Sequence, residues 1–260
     1  SLRRGAHVAV GTPGRVLDHL RRGNLQPDAI SYLVLDEADR MLDMGFQEEM
    51  LELLREIPTN RQTVFFSATF PPSIESMSEA HQKDPARVTI AEEERVGPPI
   101  HQFIYEVPRE EKFPLLLSCL AEQKPESAIV FCNLKITVAE LAEALENSGV
   151  SSASLHGDLD QNDRDRVMAK FRNGSVRVLV ATDVAARGID VADLDLVVNY
   201  ELPKPDIYVH RIGRTGRAGK SGVAISFLSS GEGYKVRLIE EKTGNKLEVV
   251  KAPENPVTAP

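Results

Sequence analysis

Tyr32-Leu33-Val34-Leu35-Asp36-Glu37-Ala38-Asp39 runs from apolar side chains straight into carboxylates. A short apolar run bounded by polar residues reads as a buried strand. A strand end is rigid, so it can hold one carboxylate near a magnesium ion and the next near an attacking water. An acidic segment behind a strand is, taken alone, usually a solvated turn; its weight comes from what accompanies it. A second apolar run, Val64-Phe65-Phe66, ends in the hydroxyls of Ser67-Ala68-Thr69. Much later the chain carries His210-Arg211-Ile212-Gly213-Arg214-Thr215-Gly216-Arg217.

The 260 residues are 42% hydrophobic and 27% charged, enough to bury the cores of two α/β lobes and too apolar for wholesale disorder. No apolar stretch approaches the ~20 residues of a membrane span, and the basic start precedes no long apolar core as a signal peptide would. A cytoplasmic monomer with no membrane partner is expected. The net charge of −8 opposes bulk attraction to nucleic acid, so any nucleic-acid site requires a localised cationic cleft. Cys119 and Cys132 form no C-x-x-C pair and each lies in an apolar run, which reads as two reduced core thiols.

Apolar runs alternate with helix-period segments, the pattern of parallel sheets with crossover helices. In the first lobe, strands are predicted over 8–10, 32–35 and 63–67, and helices over 13–22, 45–56 and 73–82. In the second, strands are predicted over 102–107, 128–132, 152–155, 176–181, 194–198 and 223–228. Helices are predicted there over 111–122, 136–147, 161–171, 206–212 and 233–242, with stops at Ser148-Gly149 and Asn173-Gly174. The implied domains are 1–92, a linker over 93–100 marked by Gly97-Pro98-Pro99, 101–245, and an unfolded tail over 246–260. A doubly wound sheet needs a strand feeding a phosphate-binding turn. No G-x-x-x-x-G-K-[ST] occurs in the sequence. The first lobe is therefore expected to lack its P-loop half, with residue 1 inside that domain.

Thr12 is placed to cap a helix that Pro13 opens, so the backbone N–H groups near Gly14 and the Arg15 guanidinium would face an anion. Asp160 is a candidate cap for the helix opened by Gln161, with Arg164 one turn in. Thr182 to Asp190 is a polar, glycine-bearing loop at a strand's carboxyl end, where open α/β sheets bind ligands. Arg211, Arg214 and Arg217 repel one another unless an anion pairs them, and planar guanidinium suits phosphate.

Together these segments resemble the DEAD-box helicase family over nearly the whole chain, about residues 2–242. Within it, the runs from Ser154 to Gln161 and from Phe171 to Ser175 look like the bacterial DbpA type. The resemblance implies two RecA-like parallel-sheet lobes in tandem, the first incomplete and the second complete. It implies an RNA-stimulated ATP hydrolase that opens short RNA duplexes, with ATP and Mg²⁺ as cofactors and single-stranded RNA in the interlobe cleft. A role in ribosome assembly goes with that type. By resemblance, Asp36 positions the magnesium through water and Glu37 orients the hydrolytic water. Asp39, Ser67, Thr69 and His210 couple hydrolysis to lobe closure. Thr12, Gly14, Arg15, Gly157, Arg164 and Thr182 hold RNA, while Gly188 and Asp190 approach the nucleotide. Arg214 and Arg217 stabilise charge on the γ-phosphate. Two other readings remain: a non-catalytic RNA clamp or protein-binding fragment without a P-loop, and a DNA-directed helicase of the same superfamily.

Overall fold

The structure is a computed structural model that describes residues 5–89, 100–186, 193–216 and 221–252. The chain divides into two compact units, Ser1–Ile90 and Ala91–Pro260. The expected linker falls almost entirely outside the described residues. Among those that are described, no helix is long and apolar enough to cross a membrane.

In the first unit, α1 (Pro13–Arg21) precedes β1 (Tyr32–Leu35), followed by α2 (Ala38–Asp43), α3 (Gln47–Glu56), β2 (Gln62–Phe65) and α4 (Pro72–His81). β1 and β2 pair in parallel, Leu33 opposite Thr63 and Leu35 opposite Phe65. Alternation along β1 buries Leu33 and Leu35 and leaves Tyr32 and Val34 exposed. Met50, Leu53 and Leu54 recur at helical spacing on α3 and meet Leu17 of α1 and Ile74 and Met77 of α4 in one core. Arg61 closes the end of α3 by donating to the carbonyls of Leu54, Ile57 and Pro58, which have no partner within the helix, and to Thr63 Oγ1.

One expectation fails in this unit and one element goes unforeseen. Residues 8–10 form no strand: Val8 and Val10 alternate correctly but stand in solvent without a partner strand. α2 was not foreseen, because its short span follows the acidic turn without an apolar stripe of its own.

Among the described residues, the second unit holds a seven-stranded, all-parallel sheet of order β5-β6-β4-β7-β8-β3-β9. Its strands are β3 (Ile100–Glu106), β4 (Ala128–Phe131), β5 (Ser152–Leu155), β6 (Val178–Ala181), β7 (Leu196–Asn199), β8 (Gly222–Leu228) and β9 (Val249–Lys251). The helices are α5 (Lys112–Gln123), α6 (Lys135–Asn147), α7 (Gln161–Arg172), α8 (Asp183–Ala186), α9 (Pro205–Ile212) and α10 (Gly233–Thr243). β4, β6 and β7 are buried at every position, as parallel strands covered on both faces must be. α6 and α7 stop where expected, with Gly149 and Gly174 in left-handed backbone after their caps. β9 corrects the expected tail: Val249–Lys251 pairs in parallel with β3, inside the stretch read as unfolded.

The sheet reverses direction of growth at β4, with β6 on one side and β7 on the other. The crevice outside the carboxyl ends of such strands is where open α/β sheets take ligands.

Candidate functional site

β1 delivers Asp36 and Glu37 to solvent and Asp39 to the interior. Asp36 Oδ1 accepts the Glu37 N–H at 2.9 Å, which folds the carboxylate over the turn. Glu37 sits at φ 48°, in the left-handed region that costs a non-glycine residue about 1–2 kcal/mol. Backbone strain of this kind persists where surrounding structure fixes it, commonly at functional sites.

Asp39 is different in kind from its two neighbours. Its Oδ2 accepts both the N–H and the hydroxyl of Thr69 at 2.8 Å, its Oδ1 accepts the Arg40 N–H, and its own N–H donates to Ser67 Oγ at 3.1 Å. Burial pushes the Asp39 carboxyl up, but the bonds from Thr69, Ser67 and Arg40 outweigh it and hold the group below the usual aspartate range. The structure thus brings Asp36, Glu37, Asp39, Ser67 and Thr69 together at the carboxyl ends of β1 and β2.

Thr12 occupies the N-cap position of α1 in extended backbone, yet its side chain makes no capping bond, contrary to expectation. Its carbonyl instead accepts from Arg15 and Val16. Thr12, Gly14 and Arg15 are exposed, and Arg15 reaches Asp18 Oδ2 at 3.2 Å.

In the second unit the centre of the crevice is Arg211, which is 1% exposed. Its Nε donates to Asp183 Oδ1 at 2.7 Å and its Nη2 to Asp183 Oδ2 and Asn133 Oδ1, each at 2.8 Å. Nη1 donates to Asn199 Oδ1 at 3.1 Å and to the Glu201 carbonyl at 3.0 Å, while the guanidinium lies over the Phe131 ring. A guanidinium has five N–H donors, and these five bonds use them all. Arg211 therefore joins the carboxyl ends of β4, β6 and β7 to α9 and has no donor left for an anion. This corrects the expectation that it shares an anion with Arg214 and Arg217.

Tyr208, Arg211 and Ile212 are the buried residues of α9, while His210 is exposed and Arg214, just past the helix end, is half-buried. The Arg214 N–H donates to the Arg211 carbonyl, and its own carbonyl accepts from Leu194. Thr215 Oγ1 donates to the Leu194 carbonyl, so the exit from α9 is tied to the segment that leads into β7. Asp160 caps α7 by accepting the Asp163 N–H at 2.8 Å, as expected. Arg164 is half-buried and sends Nη2 to the Ala185 carbonyl at 3.0 Å. Thr182 is half-buried beside Asp183, and Gly157 is exposed after β5. Gly188, Asp190 and Arg217 lie outside the described residues.

Asp183, Asn133, Asn199 and Glu201 were not foreseen. The spacing 208, 211, 212 places Arg211 on the apolar face of α9, and a buried arginine demands acceptors at strand ends; that signal was in the sequence. Cys119 and Cys132 are buried as expected, and burial pushes both thiols up to about 12, which removes them as nucleophiles. Burial lowers the Lys112 ammonium, which donates to the Tyr200 carbonyl beside the Arg211 network.

Residues 1–77 match the DEAD/DEAH box helicase family and residues 111–219 the helicase conserved C-terminal domain. A DEAD-box protein from Methanococcus jannaschii is 40% identical, with 95% of this chain and 67% of that chain covered at a TM-score of 0.57. The chain belongs to the DEAD-box helicase family. It is also 48% identical, over 98% of its length and 56% of the relative's, to the ATP-dependent RNA helicase DbpA of Escherichia coli. Yeast Dbp5, solved bound to RNA and ADP BeF3, matches with a TM-score of 0.84 at 35% identity, over 96% of this chain and 66% of that one. The chain spans about half the length of the curated DEAD-box relatives it matches. Both lobes carry the DEAD-box parallel α/β fold expected from the sequence.

Proposed function

We propose that this chain serves an ATP-dependent RNA helicase, whose RNA-stimulated hydrolysis drives local opening of short duplexes in the cytoplasm. The observation that carries the reading is the paired environment of the β1 carboxylates. Asp36 and Glu37 are exposed on a strained turn, while Asp39 is locked beneath them to Ser67 and Thr69. On this reading Glu37 orients a water toward a terminal phosphate. Asp36 has one oxygen committed to Glu37 and an exposed carboxylate, which suits a cation held largely through water and substrate phosphates. Magnesium bound there would offset phosphate charge.

On this reading Thr12, Gly14 and Arg15 in the first unit hold RNA phosphates, as do Gly157, Arg164 and Thr182 in the second. Gly188 and Asp190 meet the nucleotide, Arg214 and Arg217 stabilise the transferring phosphate, and Asp39 and His210 couple the two lobes. RNA rather than DNA is favoured by the names of the relatives. The protein acts as a monomer, and ribosome assembly is its proposed setting.

The test is steady-state ATP turnover by the complete gene product containing these residues, with single-stranded RNA, with DNA and with neither. RNA-dependent turnover that Glu37→Gln abolishes, with nucleotide affinity retained, is expected. Equal stimulation by DNA would favour a DNA-directed helicase. Turnover untouched by Glu37→Gln would overturn the catalytic assignment.

A further inference from the structure

We infer that Asp183 is a positioning residue that fixes Arg214 relative to Arg164, so that RNA contact and phosphate contact within the second lobe share one strut. The inference rests on the functional reading above and deepens it. Arg164, on α7, gives one N–H to the Ala185 carbonyl, leaving others of its five for a phosphate. Ala185 belongs to α8, a single turn whose first residue is Asp183. The Asp183 carboxylate takes Arg211 in bidentate fashion, at 2.7 and 2.8 Å. Arg211 carries Arg214 three residues on, through the N–H to carbonyl bond at 3.1 Å.

The chain of contacts is therefore Arg164, Ala185, Asp183, Arg211, Arg214. Each step is a hydrogen bond or a rigid turn, and in its central pair Arg211 is buried while Asp183 is partly exposed. Bidentate pairs between guanidinium and carboxylate fix angle as well as distance. Ala185 is fully buried, so the turn cannot shift without disturbing the core beneath it. The backbone that carries Arg214 is thereby tied to the turn whose carbonyl Arg164 grips. The other Arg211 acceptors, Asn133, Asn199 and the Glu201 carbonyl, hold the guanidinium in the crevice and lie outside α8 in the chain. Asp183 alone among the acceptors joins it to the turn that Arg164 grips.

The experiment compares Asp183→Asn with Arg214→Ala and with Asp206→Asn, whose exposed partner on α10 is Lys242. Turnover of the complete gene product is measured against RNA and ATP concentration. Asp183→Asn should lower kcat by about tenfold or more, as small misplacements of positioning groups do, with half-saturating RNA and ATP changed by less than about threefold. Asp206→Asn should match wild type. In the 260-residue chain labelled at arginine, the Arg211 Nε–H resonance should exchange slowly, and Asp183→Asn should shift both it and the Arg214 amide. Wild-type kcat in Asp183→Asn, with Arg214→Ala impaired, would overturn the inference and leave the function standing. Wild-type kcat in Arg214→Ala would remove the functional reading and the inference with it. Should Asp183→Asn fail to fold, Arg211→Lys, which keeps the charge but loses the bidentate geometry, is read in its place. A wild-type kcat there overturns the inference.

Discussion

Asp39 Oδ2 accepts both the backbone N–H and the hydroxyl of Thr69, each at 2.8 Å. With the return bond from the Asp39 N–H to Ser67 Oγ, this closes a ring of contacts between the start of α2 and the segment that leaves β2. The two strand ends cannot move independently while it holds. One short acidic run thus carries two environments: exposed carboxylates at Asp36 and Glu37, and a structural one at Asp39.

The depressed Asp39 carboxyl has a signed consequence. Its folded-state value lies below the ordinary 3.8, so its contribution to stability is fully present above that value and is lost as pH falls through the folded-state one. Asp39→Asn cannot accept all the same donors and should cost about 1–3 kcal/mol at neutral pH. The difference should shrink as the solution is acidified below the ordinary aspartate value. Urea midpoints of wild type and variant across that range measure it; a constant difference would show that charge on Asp39 is not what the bonds stabilise.

Glu37 separates stability from function. Glycine tolerates its left-handed backbone, so Glu37→Gly should relieve strain of about 1–2 kcal/mol, less the ~0.5–1 kcal/mol that glycine costs in unfolded-state entropy. The melting temperature should hold or rise slightly while RNA-stimulated turnover disappears. Glu37→Gln, which keeps the strain, should leave stability unchanged and lose turnover alike. A clear drop in stability for Glu37→Gly would mean that the side chain, and not the backbone, holds the turn.

Gly222 and Gly233 make an internal comparison. A Cβ on Gly222 would come within 2.5 Å of Thr215 Oγ1, 2.8 Å of Thr215 Cγ2 and closer still to the Gly216 nitrogen, whereas one on Gly233 meets nothing within 4 Å. Gly222→Ala should destabilise the second unit by about 1–3 kcal/mol through overpacking where the exit from α9 meets β8. Gly233→Ala, at the first position of α10, should be neutral or gain up to about 1 kcal/mol. Thermal melts of the two variants decide it, and equal effects would contradict the close approach.

How much of this was legible from sequence follows from what each feature depends on. β4, β6 and β7 were readable because strands buried on both faces are uninterrupted apolar runs, and the polar segments behind them fell where the crevice lies. Asp39 with Thr69 was readable only through family resemblance, since nothing local links residues so far apart in sequence. The Asp183–Arg211 pair was missed because Arg211 was grouped with Arg214 and Arg217 by charge, when the buried Tyr208 and Ile212 assign it to the inner face. Residues 8–10 misled for the opposite reason: alternation is a strand signal only when a partner strand exists. β9 was missed because three residues on a sheet edge, two of them exposed, carry almost no pattern.

The 260-residue chain by itself should bind RNA without hydrolysing ATP. It holds no G-x-x-x-x-G-K-[ST] segment, whose backbone N–H cradle and lysine fix the β- and γ-phosphates, so on the proposed reading Asp36 and Glu37 have no anchored phosphate to act on. The two units should also differ in protection. Among its described residues the first has a two-stranded sheet, short of what independent stability usually needs, with Tyr32, Val34 and Phe66 exposed along it. The second has seven strands whose central members are buried throughout. Hydrogen exchange on the purified chain should find β1 and β2 exchanging faster than β4, β6 and β7, and light scattering should report association through the exposed sheet face. Equal protection in both units would contradict the weaker first sheet, and RNA-dependent ATP turnover by this chain alone would show a working nucleotide site without a P-loop.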